Sequence, residues 1–184
     1  MLRTAVIYKS PLREAIHRLK YKHDIGLGEA LSRYLIELYN KLDWSVDMII
    51  PVPLSPSKKQ ERGYNQSALL AWPLAKFKHI VYRPDAIERI RNTRPQVELS
   101  ASERRENVKA AFLATESLVT GKRVLVIDDV TTTGATIQAC SQALRNAGAA
   151  EVYAMTLARA VFGDDTQPEK DQAAHHEHPV QSLY

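Results

Sequence analysis

The sequence holds a single cysteine, Cys140, and no apolar run as long as a membrane-spanning helix. One cysteine excludes both an internal disulfide and a zinc site built from several cysteines. The apolar runs are far shorter than the roughly 20 residues that a bilayer crossing needs, and the first residues lack the apolar core of a signal peptide. Neither of the common glycine-rich nucleotide motifs, G-x-x-x-x-G-K-[ST] or G-x-G-x-x-G, is present. These absences favour a cytoplasmic protein.

The positive charge of the chain is concentrated in its middle. The 184 residues carry a formal net charge of +4, whereas residues 58–109 alone hold 12 basic and 6 acidic side chains. We therefore expect an anionic partner, whether nucleic acid, a membrane surface or a phosphate-rich small molecule. Residues 161–184 are polar, aperiodic and net acidic, which predicts a disordered tail after a single domain over residues 1–160.

Hydrophobic periodicity divides residues 1–160 into helices and strands in the alternation typical of an α/β domain. Five helices are predicted. The first begins at Pro11 with Ser10 as its cap, the second covers Leu27–Tyr39, and the third follows the cap Asn65. The fourth begins at Ser100, and the fifth covers Thr136–Ala147. The predicted strands cover Val46–Val52, His79–Tyr82, Arg123–Ile127 and Val152–Ala158. We expect a loop over Pro53–Tyr64, and a kink or an early helix end at Pro73. Short connections between strands and helices predict a parallel sheet.

The segment IDDVTTTGAT, residues 127–136, is the most informative about chemistry. Two adjacent carboxylates, Asp128 and Asp129, follow a buried strand, and a turn rich in threonine and glycine then leads into a helix. Ligands of open α/β sheets bind beyond the carboxyl ends of the strands, and free amides at a helix N-terminus favour a phosphate. Because carboxylates repel a phosphate, we expect this pair to accept hydrogen bonds from sugar hydroxyls or to hold a hydrated cation. Such a site suits a ribose 5-phosphate.

This segment resembles the phosphoribosyl pyrophosphate (PRPP) signature of the type I phosphoribosyltransferases. Residues 49–71 and 89–112 resemble the ComF family, whose members are associated with DNA uptake in competence. The resemblance implies the type I phosphoribosyltransferase fold, a central and mainly parallel sheet flanked by helices, with a small hood from N-terminal segments. ComF proteins usually carry a four-cysteine zinc ribbon before this domain. Since the chain has one cysteine, we expect no zinc site in it.

The resemblance also implies roles for individual residues. The carboxylates would bind the ribose 2- and 3-hydroxyls near a Mg²⁺ ion that comes with PRPP, and the turn would surround the 5-phosphate. The PRPP-binding residues are then Asp128, Asp129, Thr131, Thr132, Thr133, Gly134, Ala135 and Thr136, and the pyrophosphate-binding residues are Lys58, Lys59 and Arg62. A flexible loop that closes over the site is matched by Arg91, Arg94, Gln96, Arg104 and Asn107. The expected catalytic residues are Asp128, Asp129 and Arg104.

Two functions from different classes suit these residues. The first is an enzyme that uses PRPP and Mg²⁺ to transfer a phosphoribosyl group to or from a base or amine, with pyrophosphate as the leaving or attacking group. The alternative is a non-catalytic protein of competence and DNA uptake that binds PRPP, a nucleotide or single-stranded DNA. No aromatic residue lies between Tyr82 and Phe112, which favours a small-molecule ligand. The expected partners are PRPP and a small acceptor, with single-stranded DNA, competence proteins or a second copy of the chain as alternatives.

Overall fold

The central strands arise from unbroken apolar runs, as expected where both faces of a sheet are covered. The computed structural model describes residues 1–90 and 111–160. The strands are β1 (Leu2–Ile7), β2 (Met48–Pro51), β3 (Val81–Tyr82), β4 (Ile87–Arg89), β5 (Phe112–Ala114), β6 (Arg123–Thr131) and β7 (Glu151–Arg159). The helices are α1 (Leu12–Tyr21), α2 (Leu27–Asn40), α3 (Pro56–Arg62), α4 (Gln66–Lys78), α5 (Glu116–Val119) and α6 (Ala135–Asn146).

Five of these strands form one parallel sheet in the order β1-β7-β6-β2-β3. The strands β4 and β5 form a separate antiparallel ribbon, in which Ile87 lies opposite Ala114. The predicted architecture, a mainly parallel sheet flanked by helices, is confirmed. Because the five strands run in one direction, their carboxyl ends lie along a single edge of the sheet, where Thr131 of β6 pairs with Arg159 of β7.

Each face of the sheet has its own core. On one face, α6 packs Cys140 and its apolar neighbours against Val124 and Val126 of β6. On the other face, side chains of α1, α2 and α4 cover Leu125 and Ile127. Alternate side chains of β6 therefore enter different cores, which is why the run reads as continuously apolar.

The loop expected over Pro53–Tyr64 contains a helix, α3, so that prediction is wrong. Ser55 caps this helix, because its Oγ accepts the backbone N–H of Lys58 at 3.4 Å. Pro56 occupies the first helical turn, where a missing donor costs nothing. The pair Ser55–Pro56 was the signal for this helix.

The helix α4 passes Pro73 and ends at Lys78, so the early end expected at Pro73 is wrong. A proline inside a helix costs about 3 kcal/mol. Burial of a large apolar side chain contributes roughly 1.5–3 kcal/mol, and Leu70 and Leu74 are fully buried. Their burial offsets the cost of Pro73. The predicted cap of α4 is confirmed, since Asn65 Oδ1 accepts the N–H of Ser67 at 3.0 Å.

Two further boundaries differ from the prediction. The helix α1 begins at Leu12 with Pro11 in the cap position and no side-chain cap, so the expected cap at Ser10 is wrong. The strand β6 does not end at Ile127 but runs to Thr131, because its ladder with β7 continues past the apolar run. As a result, Asp128 and Asp129 lie within the strand, whereas the sequence predicts that they follow its end.

Candidate functional site

The acidic pair lies near the carboxyl end of β6 and is buried. Asp128 is 8% exposed and Asp129 is 3% exposed. Carboxylates are rarely buried unless other groups compensate their charge. Two of them side by side at the ligand-binding edge of a parallel sheet indicate a functional site.

Two donors hold Asp128 in place. Ser67 Oγ donates to Asp128 Oδ1 at 2.9 Å, and the backbone N–H of Asp129 donates to the same oxygen at 3.0 Å. Burial and then the adjacent charge of Asp129 raise the pKa of Asp128 to about 7, although both hydrogen bonds act in the opposite direction. The carboxyl group can therefore accept a hydrogen bond when ionised and donate one when protonated.

A lysine from α1 compensates the charge of Asp129. Lys20 Nζ lies 2.6 Å from Asp129 Oδ2, an oxygen that is shielded from solvent. At this separation the charge of Asp129 and a hydrogen bond from the ammonium both act on the pair. Burial lowers the pKa of Lys20, but Asp129 and Asp128 together raise it by more, so that the net change is upward. Lys20 is therefore charged beside the pair.

Contacts on both sides of Lys20 fix the last turn of α1. The Tyr64 hydroxyl donates to the carbonyl oxygen of Leu19, and Leu19 itself is fully buried. On the other side, Arg62 Nη2 donates to the Tyr21 hydroxyl at 3.2 Å. The end of α1 is thus joined to α3 and to the turn that follows it.

The three residues expected to bind pyrophosphate lie on α3 in different environments. Lys58 and Lys59 are exposed, whereas Arg62 is 7% exposed. Arg62 Nη1 donates to Gln66 Oε1 at 3.1 Å, and its guanidinium lies 4.9 Å above the ring of Tyr21. The structure therefore places two of the three side chains at the surface and packs the third between α1 and α4.

The charges of three cationic side chains act on Lys58 near this edge. Although Lys58 is exposed as a residue, partial burial of its ammonium lowers its pKa, and the charges of Arg62, Arg89 and Lys20 lower it further. Arg89 ends β4, just before residues 91–110, and Lys20 contacts the acidic pair. The positive field therefore extends from the acidic pair to the ribbon, and an anion would relieve it.

The threonine-rich turn enters α6 as predicted. Gly134 caps the helix with a φ of +81°, a conformation that side chains with a Cβ rarely adopt. The N–H of Ala135 donates to Thr133 Oγ1 at 3.4 Å.

A cavity of about 300 Å³ adjoins the turn and is lined by Leu2, Arg3, Thr4, Thr131, Thr132, Thr133, Gly134 and Arg159. Of these, sequence reasoning missed Arg3 and Arg159, although an arginine at the end of a strand next to β6 was a usable signal for the second.

A larger cleft of about 700 Å³ lies between α3, the start of α4 and the β4–β5 ribbon, and its lining includes Lys59, Asn65 and Arg89. The ribbon flanks the segment predicted to close over the site. That segment, with Arg91, Arg94, Gln96, Arg104 and Asn107, lies outside the described residues, as do the helix expected from Ser100 and the tail over 161–184.

Residues 72–177 match the phosphoribosyl transferase domain family. The DNA utilization protein YhgH of Escherichia coli O157:H7 is 39% identical over 161 residues, which cover 85% of this chain and 70% of the relative. Competence protein F of Haemophilus influenzae is 35% identical over 160 residues, which cover 83% of this chain and 70% of the relative. The chain is a ComF-like member of the phosphoribosyl transferase domain family.

A solved structure shows the same fold as the ComF-like protein. A glutamine PRPP amidotransferase from B. subtilis, complexed with ADP and GMP, matches 71% of the ComF-like chain with a TM-score of 0.51 and 24% sequence identity. The ComF-like chain spans 26% of that protein. The type I phosphoribosyltransferase fold implied by IDDVTTTGAT is confirmed. Within residues 1–90 and 111–160 of the ComF-like protein, the helices are too short or too polar to cross a bilayer.

A metal ion held directly by the protein does not fit this site. In the part of the chain that the structure describes, no three histidine, cysteine, aspartate or glutamate side chains are grouped as metal ligands. Lys20 already compensates Asp129, and two donors occupy Asp128 Oδ1. Mg²⁺ prefers several oxygen ligands in near-octahedral geometry. The described residues therefore do not form a site that would hold the expected Mg²⁺ directly.

Proposed function

We propose that the ComF-like protein binds PRPP at the carboxyl edge of its sheet and transfers the phosphoribosyl group to or from a base or amine. The observation that carries this proposal is the buried pair Asp128 and Asp129 beside the threonine-rich turn of residues 131–136. A ribose 5-phosphate presents a diol and a phosphate on opposite sides of one ring. Acceptors for the diol and amides for the phosphate lie on one strand and the turn that follows it.

Asp128 and Asp129 orient the ribose in this proposal. Ionised Asp128 accepts a hydrogen bond from one ribose hydroxyl, while Ser67 keeps its carboxyl group in place. The phosphate lies on the amides and hydroxyls of the turn. Each hydrogen bond to such a charged group contributes roughly 1.5–3 kcal/mol, which exceeds the helix-dipole contribution of about 0.3–1 kcal/mol at an exposed site.

The basic side chains act on the diphosphate. When the bond from ribose C1 to the pyrophosphate oxygen breaks, positive charge develops on the ring and negative charge on the departing oxygen. The cations around Lys58 stabilise that negative charge, and in the reverse reaction they hold pyrophosphate for attack on C1. A Mg²⁺ ion that accompanied PRPP would add to this stabilisation of charge on the diphosphate. We propose that Arg104 and its neighbours in residues 91–110 close over the site and exclude water.

A thermal-shift titration with Mg²⁺–PRPP tests the binding step. A ligand present at about 100 times its Kd stabilises the folded state by about 2.7 kcal/mol. We expect Asp128→Asn to reduce this stabilisation by at least about 1.4 kcal/mol, which corresponds to a tenfold weaker affinity. The control is Asp47→Asn, which removes a carboxylate beside Arg123 at the opposite edge of the sheet and should preserve the shift. No shift of the folded wild-type protein at millimolar PRPP would refute the proposal.

Pyrophosphate release then separates catalysis from binding. We expect release from PRPP in the presence of at least one member of a panel of bases and amines, and no release from Asp128→Asn. Binding without release from any acceptor would favour the non-catalytic alternative, a protein that senses PRPP or a nucleotide.

Binding of single-stranded DNA is a second candidate function. It is favoured by the relatives named as DNA utilization and competence proteins and by the basic surface of α1 and α3, where Tyr21 is 51% exposed. Affinity for a fluorescent oligonucleotide should fall steeply with salt, because phosphate contacts release counterions. It should also survive Asp128→Asn. An affinity that does not depend on salt, or that this substitution abolishes, would contradict an independent DNA site.

A further inference from the structure

Lys20 places a cation directly beside the acidic pair of the proposed PRPP site. Its Nζ lies 2.6 Å from Asp129 Oδ2, and its side chain is 21% exposed while that of Asp129 is 5% exposed. Lysine carries a compact, strongly hydrated charge, so moving it into a partly buried position against a carboxylate costs desolvation free energy. Buried ion pairs of this kind often contribute no net stability. The pair therefore calls for an explanation other than stabilisation of the fold.

The position of the ammonium is set by the fold. Leu19 and Tyr21, the neighbours of Lys20 in sequence, contact the hydroxyl of Tyr64 and the guanidinium of Arg62. These contacts hold the last turn of α1 against α3, so the ammonium reaches the acidic pair without reorganisation. Preorganised charge of this kind is what stabilises ligands and transition states most effectively.

The ammonium also acts on both charged regions of the site. It contacts Asp129 on β6, and its charge acts on Lys58 of α3. An ammonium has three N–H donors. While one is directed at Asp129, the others are available to a ribose hydroxyl and to a diphosphate oxygen. A divalent metal that bridges a diol and a diphosphate would make the same connections.

We propose that Lys20 is the resident cation of the PRPP site, and that its ammonium replaces a divalent metal between the ribose-binding carboxylates and the diphosphate. This inference rests on the proposed function. Its consequence is that the protein binds PRPP without Mg²⁺. If the ammonium is removed, Asp129 becomes an uncompensated buried carboxylate that repels the diphosphate. Mg²⁺, which favours carboxylate and phosphate oxygens, then becomes necessary.

Calorimetric titration of PRPP in EDTA and in excess Mg²⁺ tests the inference. We expect the wild-type Kd to change by less than about threefold between the two buffers, and Lys20→Met to bind at least about tenfold more weakly in EDTA and to regain affinity with Mg²⁺. The matched control is Lys22→Met. It removes the same charge at the end of the same helix from an exposed side chain and should behave like wild type.

Two results overturn the inference while leaving the proposed function intact: wild-type binding that requires Mg²⁺, or a Lys20→Met variant that binds as tightly as wild type in EDTA. Failure of wild type to bind PRPP in either buffer refutes the proposed function and this inference with it. If Lys20→Met does not fold, the two wild-type titrations still show whether wild-type binding of PRPP requires Mg²⁺. The double variant Lys20→Met/Asp129→Asn, which has no uncompensated charge, should lose the rescue by Mg²⁺, and persistent rescue would also overturn the inference.

Discussion

Replacing Asp128 by asparagine should stabilise the ComF-like protein above neutral pH while weakening its affinity for PRPP. The side chain is buried, and its Oδ1 accepts hydrogen bonds from Ser67 Oγ and the N–H of Asp129. Asparagine presents a carbonyl oxygen to the same two donors but carries no charge beside Asp129. The folded protein is thereby relieved of a buried carboxylate, and a ribose hydroxyl loses a charged acceptor.

The size of the gain follows from the proton affinity of the carboxyl group. Burial and then Asp129 raise the pKa of Asp128 from 3.8 to about 7. A carboxyl group whose pKa is raised by folding contributes fully to stability below 3.8, and that contribution is lost as the pH rises through about 7 because the unfolded chain ionises first. At about 1.4 kcal/mol for each pH unit, the wild-type protein loses at most roughly 4 kcal/mol. The asparagine variant loses none of it.

Urea unfolding of the wild type and Asp128→Asn across this pH range measures the difference. The advantage of the variant should grow with pH, by up to about 1.4 kcal/mol per unit, and level off above neutrality. Its Kd for PRPP should rise at least about tenfold. An advantage that stays constant or shrinks as the pH rises would refute the reasoning about the buried charge. Unchanged affinity for PRPP would refute the role of Asp128 in the site.

Two further predictions concern the frame of the site. Gly28→Ala should lower the free energy of unfolding by about 1–3 kcal/mol, because the new Cβ would lie 2.7 Å from Leu69 Cβ and 3.0 Å from the Leu69 carbonyl oxygen. In Gly26→Ala the nearest such contact is at 4.0 Å, and an equal loss in chemical denaturation of both variants would contradict the explanation. Asp47→Asn should reduce the melting temperature at neutral pH, and the reduction should disappear as the pH falls from 3.8 towards 2, because hydrogen bonds from the side chain and backbone of Arg123 lower the pKa of Asp47 to about 2. A reduction that is the same at every pH would contradict it.

The sequence predicts the parts of this fold whose stability is local or whose side chains are buried on both faces. The runs that become β2, β6 and β7 are apolar because two cores cover them. The strand β1 lies at the edge of the sheet with mostly half-buried side chains, and β4 and β5 are three residues each. Such segments have no periodicity to detect, because partners distant in sequence form their ladders.

The candidate site also has residues that the sequence predicts and residues that only the fold identifies. Asp128, Asp129 and the turn to Gly134 are contiguous, so one segment of sequence shows both the carboxylates and the phosphate-binding turn. Arg62 belongs to a basic run whose members the sequence does not distinguish from one another. In the structure Arg62 differs from the two lysines, because its guanidinium donates hydrogen bonds to Tyr21 and Gln66. Composition predicts the net charge of that run, but not which of its cations is free to meet a ligand.

Lys20 shows what a closer use of periodicity detects and what it does not. Ile16 and Leu19 mark the buried face of α1, and Lys20 lies four residues after Ile16, on that same face. Lys22 is about 200° further round the helix and is exposed. A lysine on the apolar face of a helix therefore signals a buried charge that needs a partner. The partner, Asp129, lies on a strand far along the chain, and only the fold brings the two together. Where an acidic pair suggests a metal, a lysine of this kind should be tested as an internal counter-ion first.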